Sequence, residues 1–152
     1  MTLFVDADSC PVRIREIICK TAKRLQIPAV FAANRPIPIP KNSYCTSVIT
    51  EAEDQAADMY ILAHAVQGDM VITRDIPLAK QLVDAHIRVI NDRGIVYTAE
   101  NIGERLSIRN FMYELSVNGL APERTKAFGK KEIMAFAQSL DWETQRLLKN
   151  AP

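Results

Sequence analysis

Short apolar runs that alternate with stretches of helical periodicity set the strongest limit on how this chain folds. That order is the signature of an α/β fold with a largely parallel sheet. Thr2–Val5 is a short β-type run that stops at Asp6. Ser9 or Asp8 is placed to cap the helix that follows, and Pro11 falls near its first position, where a missing N–H costs nothing. Ile14, Ile17, Ile18 and Leu25 recur at helical spacing until Ile27-Pro28 breaks the pattern. Ala29–Ala33 reads as a second strand ending at Asn34, and the three alternating prolines of Arg35–Pro40 make an extended loop. Thr46–Thr50 is a third strand, Asp54–Val66 a helix closed by Gly68, and Met70–Thr73 a fourth strand. Ile76–Ala85 is a helix with Pro77 in its first turn, and Ile87–Ile90 a fifth strand. Beyond Arg93-Gly94 two helices are predicted, about Asn101–Asn118 and Lys130–Leu148, joined by Gly119–Gly129. The expectation is one domain over residues 1–152, with an α/β core over 1–98 and a helical C-terminal portion over 99–152 packed on it.

Composition excludes several other classes. With 48% hydrophobic and 24% charged residues, the chain is neither disordered nor fibrous. No apolar stretch approaches the roughly 20 residues of a membrane-spanning helix. The opening Met1-Thr2-Leu3-Phe4-Val5-Asp6 lacks the basic region of a signal peptide, so a cytoplasmic protein is expected. Cys10, Cys19 and Cys45 are odd in number with no C-x-x-C spacing, which fits reduced thiols better than disulfides or a zinc site. The net charge of +1 argues against a strongly basic nucleic-acid coat protein.

The acids are unevenly distributed. Asp6 and Asp8 directly follow the first strand. Asp54 and Asp58 stand at i and i+4 at the start of a helix, and Asp75 follows the fourth strand. From Thr50 to Asp75 there are six acids against one base, Arg74. Ligands of open parallel sheets bind beyond the carboxyl ends of the strands, where chain order reverses, and all three groups belong at that edge. Clustered carboxylates must raise some pKa values or bind a cation, and oxygen-only ligation suits Mg²⁺ or Mn²⁺. Such ions activate water and steady phosphoryl charge in phosphate-ester hydrolysis. Each acid also has a plainer reading: Asp6, Asp8 and Asp75 as helix caps, Asp54 and Asp58 as favourable charges in a first helical turn.

Other candidates carry less. Cys10 lies near a helix start, but Asp6 and Asp8 oppose thiolate formation and no His partner is near in sequence. His64 and His86 lack metal-ligand spacing and read as structural. The stripe Phe111, Met112, Leu115 is expected in the core rather than as a base-stacking platform. From Arg105 to Lys131 six bases stand against two acids, which reads either as a basic rim for a phosphate backbone or as a solvated helical face.

Asp6-Ala7-Asp8-Ser9-Cys10-Pro11-Val12 resembles the opening motif of the YaiI/YqxD family of bacterial proteins. Asp54-Gln55-Ala56-Ala57-Asp58 resembles its D-x-A-D segment, and Gly68–Ala79 its G-D-L-V-I-T-x-D-I-P-L-A block. Asn91-Asp92-Arg93-Gly94, Tyr97-Thr98, Asn101-Ile102 and Arg109-Asn110-Phe111-Met112 continue the likeness over about Met1 to Gly119. The tail departs from it: Leu120-Ala121-Pro122 stands for a G-G-P turn, Glu132-Ile133 for a D-R pair, and Leu115-Ser116 for Leu-Arg.

The resemblance implies a PIN-like fold: an open, largely parallel sheet flanked by helices, with a C-terminal helical extension. It also implies divalent-metal binding by Asp6, Asp58 and Asp75, with Asp8, Asp54 and Asp69 as auxiliaries. The expected activity is a Mg²⁺- or Mn²⁺-dependent ribonuclease leaving a 5′-phosphate and a 3′-hydroxyl. Asn34 and Thr73 would hydrogen-bond water or phosphate, and Arg74 and Arg109 would neutralise substrate charge. The alternatives are a non-catalytic module that binds RNA or a protein, and a phosphatase using Asp6 of the Asp6-Ala7-Asp8 segment as nucleophile. The latter is disfavoured because Lys80 lies inside a helix.

Overall fold

The computed structural model describes residues 1–53, 55–120 and 128–151. The metal-ligand expectation for Asp54 lies outside them, as do Arg124 and Lys126. Six strands form one sheet: β1 (Leu3–Asp6), β2 (Ala29–Ala33), β3 (Cys45–Ile49), β4 (Met70–Ile72), β5 (Arg88–Ile90) and β6 (Val96–Tyr97). Their order is β3-β2-β1-β4-β5-β6, parallel except for β6. The helices are α1 (Val12–Leu25), α2 (Ala56–His64), α3 (Ile76–Asp84), α4 (Ile102–Val117) and α5 (Lys130–Lys149). The architecture is α/β, as the sequence pattern predicts.

Strand alternation sorts the core into two layers, because successive side chains point to opposite faces. Leu3, Val5, Phe31, Met70, Ile72 and Ile90 pack with Ile14 and Ile18 of α1 and with Phe136 and Leu140 of α5. Phe4, Ala32, Val71 and Val89 pack with Ile61 of α2, Leu78 and Leu82 of α3 and Ile102 of α4. The long α5 is therefore part of the main core. It is also tied to the β5–β6 turn, where Gly94 (φ +84°) lies so close that a Cβ there would stand 2.5 Å from the Ala135 carbonyl oxygen.

The structure departs from the sequence expectations at several points. Asp8 and Ser9 lie in a short 3₁₀ turn, Ala7–Ser9, and Pro11 takes the N-cap position of α1, with no side-chain cap. Asp8 is diverted because its carboxylate accepts the Asn34 backbone N–H instead. Helix α2 begins at Ala56 after a left-handed Gln55 (φ 69°) and ends at His64, so Gly68 lies in the turn before β4 rather than closing the helix. The antiparallel β6, which the sequence reading lacks, follows an Asx turn in which Asn91 Oδ1 accepts the N–H groups of Arg93 and Ile95, each at 2.9 Å. The Phe111–Met112 stripe is not core: Phe111 is 59% exposed, because α4 meets α3 through its first turns and then runs past it. Among the described residues no helix is long and apolar enough to cross a membrane.

Candidate active site

Strand order reverses between β1 and β4. The chain runs outward from β1 through β2 to β3, and α2 then carries it back across to β4 on the other side of β1. Such switch points leave a crevice beyond the strands' carboxyl ends. Here it is a cleft of about 330 Å³ lined by Asp6, Asp8, Ser9, Asn34, Gln55, Ala57, Asp58, Arg74 and Asp75. The structure thus brings together Asp6, Asp8, Asp58 and Asp75, with Asn34 and Arg74 beside them.

Each acid is set by a different local device. Asp6 is the last residue of β1 and is buried. Its Oδ2 accepts a 2.9 Å hydrogen bond from Thr73 Oγ1, and the same hydroxyl accepts the Asp75 N–H at 3.0 Å. Burial raises the Asp6 pKa above the ordinary carboxylate value, the Thr73 bond pulls against that rise, and the charges of Asp75 and Asp8 add to it. Asp75 caps α3, its Oδ1 accepting the Leu78 N–H at 3.0 Å with Pro77 in the first turn. The cap reading of Asp75 and the site reading are therefore both satisfied. Asp58 lies in the first turn of α2, half-buried. Its pKa is pushed up to about 7 by burial first, then by a hydrogen bond shared with the Asp75 carboxyl and by the charges of Asp75, Asp6 and Asp8.

Asp8 faces Arg35, whose Nε stands 3.7 Å from Oδ1 on the exposed side of the cleft. Asp8 Oδ1 is buried without a hydrogen-bond partner. Arg74 is the only basic side chain among the described residues lining the cleft, and its guanidinium is ion-paired to the buried Asp92. Asp92, Ser9 and Gln55 are the residues that sequence reasoning left unassigned. Asp92 carries a signal, an acid just past β5 at the same edge, whereas nothing in the sequence announces the left-handed Gln55.

Two expected contributors lie elsewhere. Arg109 sits exposed on α4, its guanidinium 5.5 Å from the Tyr113 ring centre, and does not line the cleft. Asp69 precedes β4 at the opposite end of the sheet. Its two oxygens accept the backbone N–H groups of Thr2 (2.9 Å) and Val66 (3.0 Å), so its role is to fasten the starts of β1 and β4. Cys10 is a passive thiol, since burial raises its pKa to about 12. His64 stacks on Tyr60 with ring centres 4.0 Å apart, a packing role.

The donor set suits a hard divalent cation: every polar group facing the cleft from the acids is oxygen, Asp8 Oδ1 makes no hydrogen bond, and the charges of Asp75, Asp6 and Asp8 help raise the Asp58 pKa, a repulsion that a cation would relieve. Among the described residues, no three His, Cys, Asp or Glu side chains already converge into a metal cage. Each acid is instead turned to the local partner given above.

The family model described as "Uncharacterized BCR, YaiI/YqxD family" matches residues 4–146, so the likeness extends well into α5, beyond the Met1–Gly119 range expected from the motifs. The chain is similar to a UPF0178 protein of Treponema denticola, 58% identical over 98% of this chain and 95% of the relative. It is also similar to a UPF0178 protein of Treponema pallidum, 58% identical over 99% and 85%. A UPF0178 protein of Myxococcus xanthus is 40% identical over 100% and 99%. No solved structure matches the chain significantly.

Proposed function

The chain belongs to the YaiI/YqxD family, and from that premise we propose that it is a Mg²⁺- or Mn²⁺-dependent ribonuclease acting at the acid cleft. One observation carries the reading. Asp6, Asp8, Asp58 and Asp75, drawn from separate segments of the chain, line one crevice at the switch point of a parallel sheet. Asp6, Asp58 and Asp75 would hold the metal, with Asp8 beside them. Bound there, Mg²⁺ or Mn²⁺ supplies polarisation of a phosphoryl oxygen and activation of water.

The chain's own residues supply the rest. Thr73 fixes the rotamer of Asp6 through its hydroxyl. Asp58 is held above the ordinary carboxylate range by burial and by its acidic neighbours, so holding a cation there would require it to give up its proton, which makes metal binding pH-dependent. Arg74, held by Asp92, presents its half-exposed guanidinium to a phosphate. Asn34 and Ser9 offer neutral hydrogen-bonding groups at the rim.

The test pairs the purified protein with its Asp6→Asn variant on a mixed RNA pool in Mn²⁺, in Mg²⁺ and in chelator, with the new 5′ ends mapped. The expected result is cleavage that needs both metal and Asp6 and leaves 5′-phosphates. A second reading, an RNA- or protein-binding module without catalysis, is favoured by the absence of a converged triad among the described residues. It predicts binding that survives chelator and the loss of Asp6 and Asp75, with no cleavage.

A further inference from the structure

The acid cleft has a second guanidinium at its rim. In the sheet β1 lies between β2 and β4, each about 4.8 Å away, so the chain leaving β2 and the chain leaving β4 flank the end of β1. Asp6 ends β1, Arg74 follows β4, and Arg35 follows β2. The buried Asp6 therefore stands between two arginines. Arg35 is held there by Asp8: its Nε is 3.7 Å from Asp8 Oδ1, and its Nη2 donates to the Asp8 backbone carbonyl at 3.4 Å. The backbone N–H of the neighbouring Asn34 donates to the other Asp8 oxygen at 3.2 Å. Arg35 also opens a stiff strap. In Arg35-Pro36-Ile37-Pro38-Ile39-Pro40 every residue is either a proline, with φ fixed, or stands before one, where the backbone is restricted to extended conformations. Ile37 and Ile39 pack against the main core, and the three prolines are exposed. Prolines donate no backbone hydrogen bond, so the strap is fastened through a carbonyl: Pro38 O accepts from Nη1 of the buried Arg15 at 2.7 Å. Beyond the strap, Asn42 Nδ2 donates to the Cys19 carbonyl at 2.8 Å. Both fastenings lead to α1, so the backbone carrying Arg35 is tied to the core.

We propose that Arg35 is a substrate-binding residue of the cleft, taking a phosphate of the RNA backbone on the side of Asp6 opposite Arg74. The inference rests on the ribonuclease reading above. Four aspartates line the cleft and repel a phosphodiester, so an anionic substrate needs cations at the rim. Arg74 is one, and it is engaged by the buried Asp92. Arg109, the other cation expected from the sequence, does not line the cleft. Arg35 supplies the second charge. Its side chain is 67% exposed, and its only acidic partner among the described residues is the 3.7 Å contact to Asp8. An exposed pairing of that length is weak and exchanges readily for a phosphate. A guanidinium also matches two phosphate oxygens at once. Because the strap is stiff, Arg35 is presented without the ordering cost that a mobile loop would add to binding.

Binding and cleavage are measured separately on the full chain. Fluorescence anisotropy of a fluorescein-labelled single-stranded RNA in Ca²⁺ gives Kd at several salt concentrations, and cleavage is followed in Mn²⁺. Arg35→Ala is expected to weaken binding about tenfold. It should also make the dependence of log K on log salt shallower by about 0.7, the contribution of one phosphate contact to a single strand. Its far-UV circular dichroism should match wild type, since the side chain is exposed. Arg35→Lys is expected to restore the salt slope and part of the affinity, because it keeps the charge and loses the fork. Arg109→Ala, on α4 away from the cleft, should change neither. In Mn²⁺, Arg35→Ala should raise KM with kcat nearly unchanged. Wild-type affinity and slope in Arg35→Ala would overturn the proposal. An equal loss in Arg109→Ala, or a slope in Arg35→Lys like that of Arg35→Ala, would overturn it as well. RNA bound through Arg35 but cut in neither Mn²⁺ nor Mg²⁺ would overturn the ribonuclease reading and leave the role of Arg35 standing. No binding by wild type would overturn both.

Discussion

The Thr73 hydroxyl donates to Asp6 Oδ2 at 2.9 Å while accepting the Asp75 N–H at 3.0 Å, so one small side chain joins the ends of β1 and β4 and orients the acids on both. Thr73→Val keeps the shape and removes the bond. The buried Asp6 carboxylate then loses its strongest pull toward ionisation and keeps only the weaker one of the Arg74 charge. Stability at neutral pH is expected to fall by about 1–2 kcal/mol. Urea denaturation measures it, and an unchanged midpoint would mean that the bond contributes nothing.

Asp58 makes stability pH-dependent in a direction opposite to most carboxylates. Its folded pKa is about 7 against an ordinary 3.8. Between those values the folded chain holds a proton that the unfolded chain has released. The Asp58 contribution is therefore fully present below the lower value, declines as pH rises toward the upper one, and is flat above it. Asp58→Asn removes that decline. Its urea midpoint should exceed that of wild type at about pH 8, with the gap closing toward about pH 4. Equal gaps across the range would show that Asp58 titrates normally.

Asp69 and Asp6 should separate stability from chemistry. Asp69→Ala leaves the Thr2 and Val66 N–H groups without their acceptor and is expected to cost about 2–3 kcal/mol. Cleavage per folded molecule should be unchanged. Asp6→Asn relieves a buried charge, so it should abolish metal-dependent cleavage with no loss of stability. Thermal unfolding and RNA cleavage run on the same samples decide both halves.

Asp92 acts through Arg74. Asp92→Asn weakens the ion pair that holds the guanidinium at the cleft. The expected consequence is a rise of about tenfold in KM for RNA, about 1.4 kcal/mol, with kcat nearly unchanged and partial rescue by Asp92→Glu. A fall in kcat alone would place Asp92 in a different role.

Gly94 couples the β5–β6 turn to α5. In Gly94→Ala the new methyl meets the Ala135 carbonyl oxygen at 2.5 Å on a backbone at φ +84°. A loss of about 3 kcal/mol is expected, a fall in the thermal midpoint of roughly 6–12 °C. Calorimetry provides the check.

What the sequence makes legible follows from physical rules of different range. An acid directly after an apolar run must sit at a strand's carboxyl end, which is why Asp6 and Asp75 could be placed at the cleft edge before strand order was known. The same polarity puts Asp69, which precedes its strand, at the other end of the sheet, and there the structure overrides its expected auxiliary role. The Arg74–Asp92 pair depends on β4 lying beside β5, a tertiary fact that spacing does not contain. The two residues of β6 are too few for alternation to register. The expectation that Phe111 and Met112 lie in the core is overturned, since both are exposed on α4. Periodicity gives the demand for a partner and is silent on whether the partner lies in the same chain.

The position of β1 between β2 and β4 has a consequence for the timing of assembly. Asp6 is synthesised well before its bond partner Thr73, which lies 67 residues further along. A nascent chain can pair β1 with β2 and β3 while β4 is still unmade, leaving the crevice open on one side and lacking Asp75. The cleft is completed only when α2 returns the chain and β4 docks, a non-local parallel contact that forms slowly. An unfinished chain that has not yet made β4 and α3 therefore has no complete acid set at this edge of the sheet.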